Sequence, residues 1–139
     1  MTEATVTTGA CLCGRVSFEL SGRLRPVVYC HCEQCRKTSG HFVAATAVEP
    51  ERLRFVSDQD LAWYRSSDIA ERGFCRSCGS SLFWRPLRGG HISVMAGALA
   101  QPTGIKAVEH IYVADAADYY AITDGLPQHS QDNPEATDP

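Results

Sequence analysis

Seven cysteines constrain this chain more than any other feature, because they fall in three tight groups: Cys11-Leu12-Cys13-Gly14, Cys30-His31-Cys32-Glu33-Gln34-Cys35 and Cys75-Arg76-Ser77-Cys78-Gly79. Thiols at C-x-C and C-x-x-C spacing can share one ion, and three within six residues reach one ion without completing a tetrahedral shell. The two outer pairs have something the central trio lacks: each ends in Cys-Gly. Glycine takes the left-handed turn that folds backbone amides back onto thiolate sulfurs. That difference joins Cys11, Cys13, Cys75 and Cys78 into a closed structural zinc site and leaves Cys30, Cys32 and Cys35 as an open one, for two zinc ions per chain.

Disulfide pairing is the competing use of these thiols. The odd count, the metal-type spacing and an opening MTEATVTT with neither a cationic nor an apolar region point instead to metal in a reducing, cytoplasmic compartment. No apolar run is long enough to span a bilayer, so no membrane partner is expected. A length of 139 residues suits one domain, expected over 9–125, with a flexible N-terminus at 1–8 and a disordered tail at 126–139. The formal charge of −3 becomes more negative once seven thiolates hold two divalent ions. Such a surface repels phosphate backbones, which argues against a nucleic-acid partner.

Between the cysteines the pattern is β. Apolar residues alternate at Val16, Phe18 and Leu20, and Pro26 to Tyr29 forms a second strand running straight into the trio. Cys30 and Cys32 then share a face, His31 points to the other, and Cys35 needs a helical turn over Glu33 to Ser39, stopped by Gly40. Further strands are expected at 41–48, 53–56, 61–65, 69–74, 81–85, 91–96 and 108–113, and a short helix over Asp115 to Ile122. The fold class is mainly β: short antiparallel strands with little helix, in which the closed zinc joins two distant hairpins.

Three thiolates quench much of zinc's Lewis acidity, so the open site is poorly suited to making hydroxide. It is better suited to holding an incoming thiol as a thiolate nucleophile, whose natural electrophile is a small aldehyde. The product is a hemithioacetal, and the reverse reaction breaks a carbon–sulfur bond.

GACLCG at 9–14, CHCEQCRKTSG at 30–40, FCRSCGSSLFW at 74–84 and EHIYVADAADYYAITDGLPQ at 109–128 resemble the glutathione-dependent formaldehyde-activating enzyme family, which also contains centromere protein V. The resemblance covers nearly the whole chain. It implies a zinc-stapled β-tent, a structural zinc on Cys11, Cys13, Cys75 and Cys78, and a catalytic zinc on Cys30, Cys32 and Cys35. It further implies a carbon–sulfur lyase, similar to S-(hydroxymethyl)glutathione synthases of formaldehyde detoxification, acting on a glutathione-like thiol and an aldehyde.

Arg36 and Lys37 beside the trio are candidates to hold the carboxylates of such a thiol, with Arg72 and Arg85 as further candidates, against the plainer reading of solvated surface charge. His31 reads as structural or as a proton relay, and His41 as a residue near the open site. Tyr119 and Tyr120 are the aromatics placed to cover something. The alternative to an enzyme is a non-catalytic zinc-binding module acting through protein–protein contacts, with His41 completing a second closed site. A redox role like that of zinc-stapled methionine sulfoxide reductases needs a cysteine outside the metal sites, and none is left.

Overall fold

The computed structural model describes residues 5–133; the expectations for 1–4 and 134–139 lie outside the described residues. Ten strands and one α-helix follow in order: β1 (Val6–Ala10), β2 (Ser17–Ser21), β3 (Val27–Cys30), α1 (Glu33–Ser39), β4 (Val43–Val48), β5 (Leu53–Ser57), β6 (Leu61–Arg65), β7 (Ala70–Cys75), β8 (Ser81–Pro86), β9 (Ile92–Met95) and β10 (Ala107–Ile111). They form a three-stranded sheet, β1-β2-β5, and a seven-stranded sheet, β10-β3-β4-β9-β8-β7-β6. The mainly β expectation holds.

Four details differ from it. Residues 6–8 belong to β1, which pairs antiparallel with β2; VTTGA has little apolar content because β1 is an edge strand. β10 runs parallel to β3, breaking the all-antiparallel pattern. No helix forms over Asp115 to Ile122: a 3-10 turn at Val113–Asp115 is followed by irregular chain. Eight residues are too few to hold a helix without packing support, and the two tyrosines are engaged elsewhere. Finally, the start of the expected tail lies along β10, where His110 N–H donates to Pro127 O at 2.9 Å and His129 N–H donates to His110 O at 2.9 Å.

Directly paired residues of antiparallel strands share a face, so the register of the large sheet sorts its side chains. Phe83 pairs with both Gly73 and Val94, and Val94 with Thr46. This face packs on β2 and builds the main core of Phe18, Leu20, Val48, Leu82, Phe83, Ile92 and Val94, joined by Cys11 and Cys75. Trp84 pairs with Arg72 and Ser93, while Ala45 pairs with Met95 and Cys30 with Val43. That opposite face carries a smaller cluster of Cys35, Val43, Ala45 and Met95, with Cys30, Cys32 and Trp84 packed against it. The sheet therefore separates the two cysteine groups.

Candidate metal centres

The outer pairs meet across the fold. Cys13 Sγ lies 3.6 Å from Cys11 Sγ and 3.7 Å from Cys75 Sγ, and the four sulfurs of Cys11, Cys13, Cys75 and Cys78 all lie within 4.8 Å of one another. A tetrahedron with zinc–sulfur bonds of ~2.3 Å has sulfur–sulfur edges of about 3.8 Å, so the group fits zinc. Each knuckle turns as its glycine implied: Gly14 has φ 81° and Gly79 φ 82°. Backbone amides point at sulfur, Val16 N–H at Cys11 Sγ (3.3 Å) and Cys78 N–H at Cys75 Sγ (3.4 Å). The knuckles are tied by Leu12 N–H donating to Ser80 Oγ at 3.0 Å. The Ser80 hydroxyl, with neighbouring amides, pushes the Cys78 thiol down to about 5.

The central trio is assembled by one short stretch. β3 delivers Cys30, the chain leaves the sheet, and Cys32 becomes the N-cap of α1, its sulfur accepting from Cys35 N–H at 3.3 Å. Gly40, at φ 85°, closes the helix with its N–H on Arg36 O. Cys30, Cys32 and Cys35 present three sulfurs within 4.8 Å, and no histidine, aspartate or glutamate among the described residues joins them. His41, the expected fourth ligand of a closed site, is not in the group. Its Nδ1 instead meets the Tyr119 hydroxyl at 2.5 Å.

The chemistry of the donor set also suits a cation. Hydrogen bonds from the Cys30 and Cys35 thiols push Cys32 down to about 2, and the contact with Cys32 pushes Cys30 far above the usual thiol range. Three sulfurs so close sustain roughly one negative charge among them unless a cation compensates the others. A divalent soft-acceptor ion meets that need.

The cations expected at the open site divide. Lys37 is exposed and paired with Glu33 at 3.2 Å. Arg36 is half-buried, and its Nε has no hydrogen-bond partner. Arg85 lies on the other face, bound to Glu71 at 2.6 Å and stacked 3.6 Å over Trp63. Arg72 comes from β7 to the trio itself, with Nη2 3.7 Å from Cys35 Sγ. Its position paired with Trp84, on the face opposite the main core, was the signal in the register, and a linear sequence does not display it.

Behind the trio lies a network that sequence reasoning saw only in part. His31 points away from its neighbouring cysteines and is fully buried. Its Nε2 lies 2.8 Å from His110 Nδ1, whose Nε2 lies 2.8 Å from Asp124 Oδ2. His31 Nδ1 meets the Tyr120 hydroxyl. Because the Asp124 carboxylate only accepts, the donors run one way: Tyr120 O–H to His31, His31 N–H to His110, His110 N–H to Asp124. Burial and the nearby His110 and His41 hold His31 below its ordinary range, favouring the neutral ring this chain of bonds requires. Phe42 packs on both His31 and Tyr120.

Comparison with known proteins gives three findings. The model of the glutathione-dependent formaldehyde-activating enzyme family matches residues 6–115. An uncharacterized lyase of Schizosaccharomyces pombe is 31% identical over 77 residues, covering 55% of this chain and 55% of that protein, so the chain spans about half the length of this curated relative. A crystal structure of a Rhodobacter sphaeroides protein superposes with a TM-score of 0.56 at 22% identity, over 87% of this chain and 98% of that one. At that identity the likeness speaks for the fold alone.

Proposed function

The chain belongs to the glutathione-dependent formaldehyde-activating enzyme family, and from that premise we propose that it is a zinc-dependent carbon–sulfur lyase. It joins a small aldehyde to a glutathione-like thiol, or cleaves the S-hydroxyalkyl adduct. In the forward direction the thiol sulfur bonds to the carbonyl carbon and the thiol proton ends on the new hydroxyl; the reverse breaks the carbon–sulfur bond and restores both. The observation that carries this reading is the trio of Cys30, Cys32 and Cys35, three sulfurs grouped with no fourth protein ligand among the described residues.

Zinc bound there would supply a soft acceptor that lowers the proton affinity of an incoming thiol. The chain's own residues do the rest. Cys30, Cys32 and Cys35 hold the ion and leave one position for the thiol. Val43, Ala45 and Met95 wall the site with apolar side chains, which strengthens electrostatic contacts within it. Arg36, half-buried beside Cys35 in the chain and with an unpartnered Nε, is the proposed holder of a substrate carboxylate, and Lys37 serves if it leaves Glu33. Cys11, Cys13, Cys75 and Cys78 hold a structural ion. The unit carrying both centres takes in β1 from Val6 and the chain along β10 as far as His129. All seven cysteines are free, which fits a reducing, cytoplasmic compartment.

The test is zinc stoichiometry followed by a glutathione titration monitored by X-ray absorption at the zinc edge. Two ions per chain, with glutathione adding sulfur to a three-sulfur site, is the expected result. One ion, or two closed sites that glutathione leaves unchanged, would favour the non-catalytic module instead.

A further inference from the structure

Arg72 is a buried cation without a carboxylate. It sits in the middle of β7, 6% exposed, and none of the ion pairs among the described residues includes it. Its Nη2 reaches Cys35 Sγ at 3.7 Å and Gln34 Oε1 at 3.4 Å, and its Nε has no partner. An arginine keeps its proton at any relevant pH, so burying it requires an anion in its place. On the same strand, Glu71 is already committed to Arg85. The sulfurs of the trio are the anionic groups within Arg72's reach.

We infer that Arg72 is the counter-ion of the three-cysteine centre, and that its fixed charge tightens the centre's hold on a divalent metal and on a fourth, thiolate, ligand. This rests on the reading of the trio as a metal site. Three thiolates on a divalent ion leave one net negative charge, and a thiolate substrate adds another. A guanidinium at Cys35 offsets one of these, so with a fourth thiolate bound the half-buried centre carries one net negative charge instead of two. Arg72 thus acts through the sulfurs and positions charge; it need not touch the aldehyde.

The experiment compares wild type, Arg72→Met, Arg72→Gln and Arg72→Lys, each with Cys32 intact and with Cys32→Ser, by zinc retention against a graded chelator and by thermal melting. Removing an outer partner of a metal centre typically costs about 10–100-fold in metal affinity. Arg72→Met is expected to loosen one of two zinc ions by that factor and leave the other unchanged, while Arg72→Lys keeps most of the affinity. In the Cys32→Ser background the same substitution should change neither zinc content nor melting. Arg72→Gln, neutral but hydrogen-bonding, carries the test should the Met variant fail to fold. Wild-type retention of both ions in the neutral variants, or an equal melting loss in both backgrounds, would overturn the inference and make Arg72 a packing residue, with the metal reading intact. A wild type holding one ion, matched by Cys32→Ser, would bring down both.

Discussion

The four-cysteine and three-cysteine groups use the same donor atom on opposite faces of one sheet, and they differ in what each closes. The first takes ligands from knuckles 62 residues apart and seats Cys11 and Cys75 in the main core. An ion there closes a long loop and fixes which hairpins meet. The second takes all its ligands from six consecutive positions joined by a strand end and one helical turn, beside a core cluster of four residues. An ion there orders local chain and leaves topology untouched. The contrast teaches that ligand separation along the sequence, more than ligand number, decides whether a bound ion would bear on topology or on local chain alone.

The sharpest way to break this comparison is to remove one ligand from each group. Cys75→Ser should unfold the domain, since structural zinc is worth ~10–16 kcal/mol against a domain stability of about 5–15 kcal/mol. Cys32→Ser should stay folded with one ion, read by circular dichroism and metal analysis; equal unfolding would erase the distinction. Next come the two packing clusters. Phe83, in ring contact with Phe18, Phe55 and Trp63, should cost about 3–5 kcal/mol when cut to alanine, and Met95 about 2 kcal/mol, both by urea unfolding. A larger loss at Met95 would move the fold's weight to the open side.

Gly73 sharpens the comparison further. A Cβ there would stand 3.0 Å from Trp63 and 3.1 Å from Phe83, on the core face. Gly73→Ala should cost about 1–3 kcal/mol through overpacking, while its neighbour Arg72, facing the other way, should respond through metal affinity. The smallest effect is acid-dependent. Asp124 is held below the usual carboxylate range by the Leu126 N–H and by His110. Its folded value is depressed, so its stabilisation is complete above about pH 4 and is lost as pH falls through the folded value. Asp124→Asn should flatten that acid limb of the stability–pH curve by lowering stability near neutral pH, while leaving stability below the folded value little changed. An unchanged acid limb would detach Asp124 from the network behind the trio.

Much of this was legible in the chain itself. The knuckle glycines, the turn from Glu33 to Ser39 and most strand positions follow from short-range signals, because turns, caps and period-2 alternation are local physics. What the chain hid was long-range. β1 carries few apolar residues although it ends the small sheet, with Gly9 bridging Leu99 on its far side, and β10 runs parallel to β3 through a connection no local signal reveals. The Asp115 to Ile122 stretch has helix-forming residues, yet Tyr119 and Tyr120 gain more by bonding His41 and His31. At the candidate site the seven cysteines stood out by spacing, whereas Arg72 was one of four candidate cations that only its pairing with Trp84 set apart. Asp124 had no signal at all: it matters only because His110 sits beside it.

Arg72 and Cys75 lie three positions apart on β7, and an odd spacing on a regular strand sends them to opposite faces. One strand thus supplies a charge to one centre and a ligand to the other, about 10 Å further along. This imposes a parity rule. A single insertion in the Arg-Gly-Phe-Cys stretch turns the arginine into the core or the cysteine out of it unless a bulge absorbs it, as the register shift against β8 beside Gly73 and Phe74 absorbs one residue there. The two centres cannot be lengthened, grafted or exchanged as independent parts, and a chain scanned for this arrangement should be searched for Arg-x-x-Cys-x-x-Cys as one word.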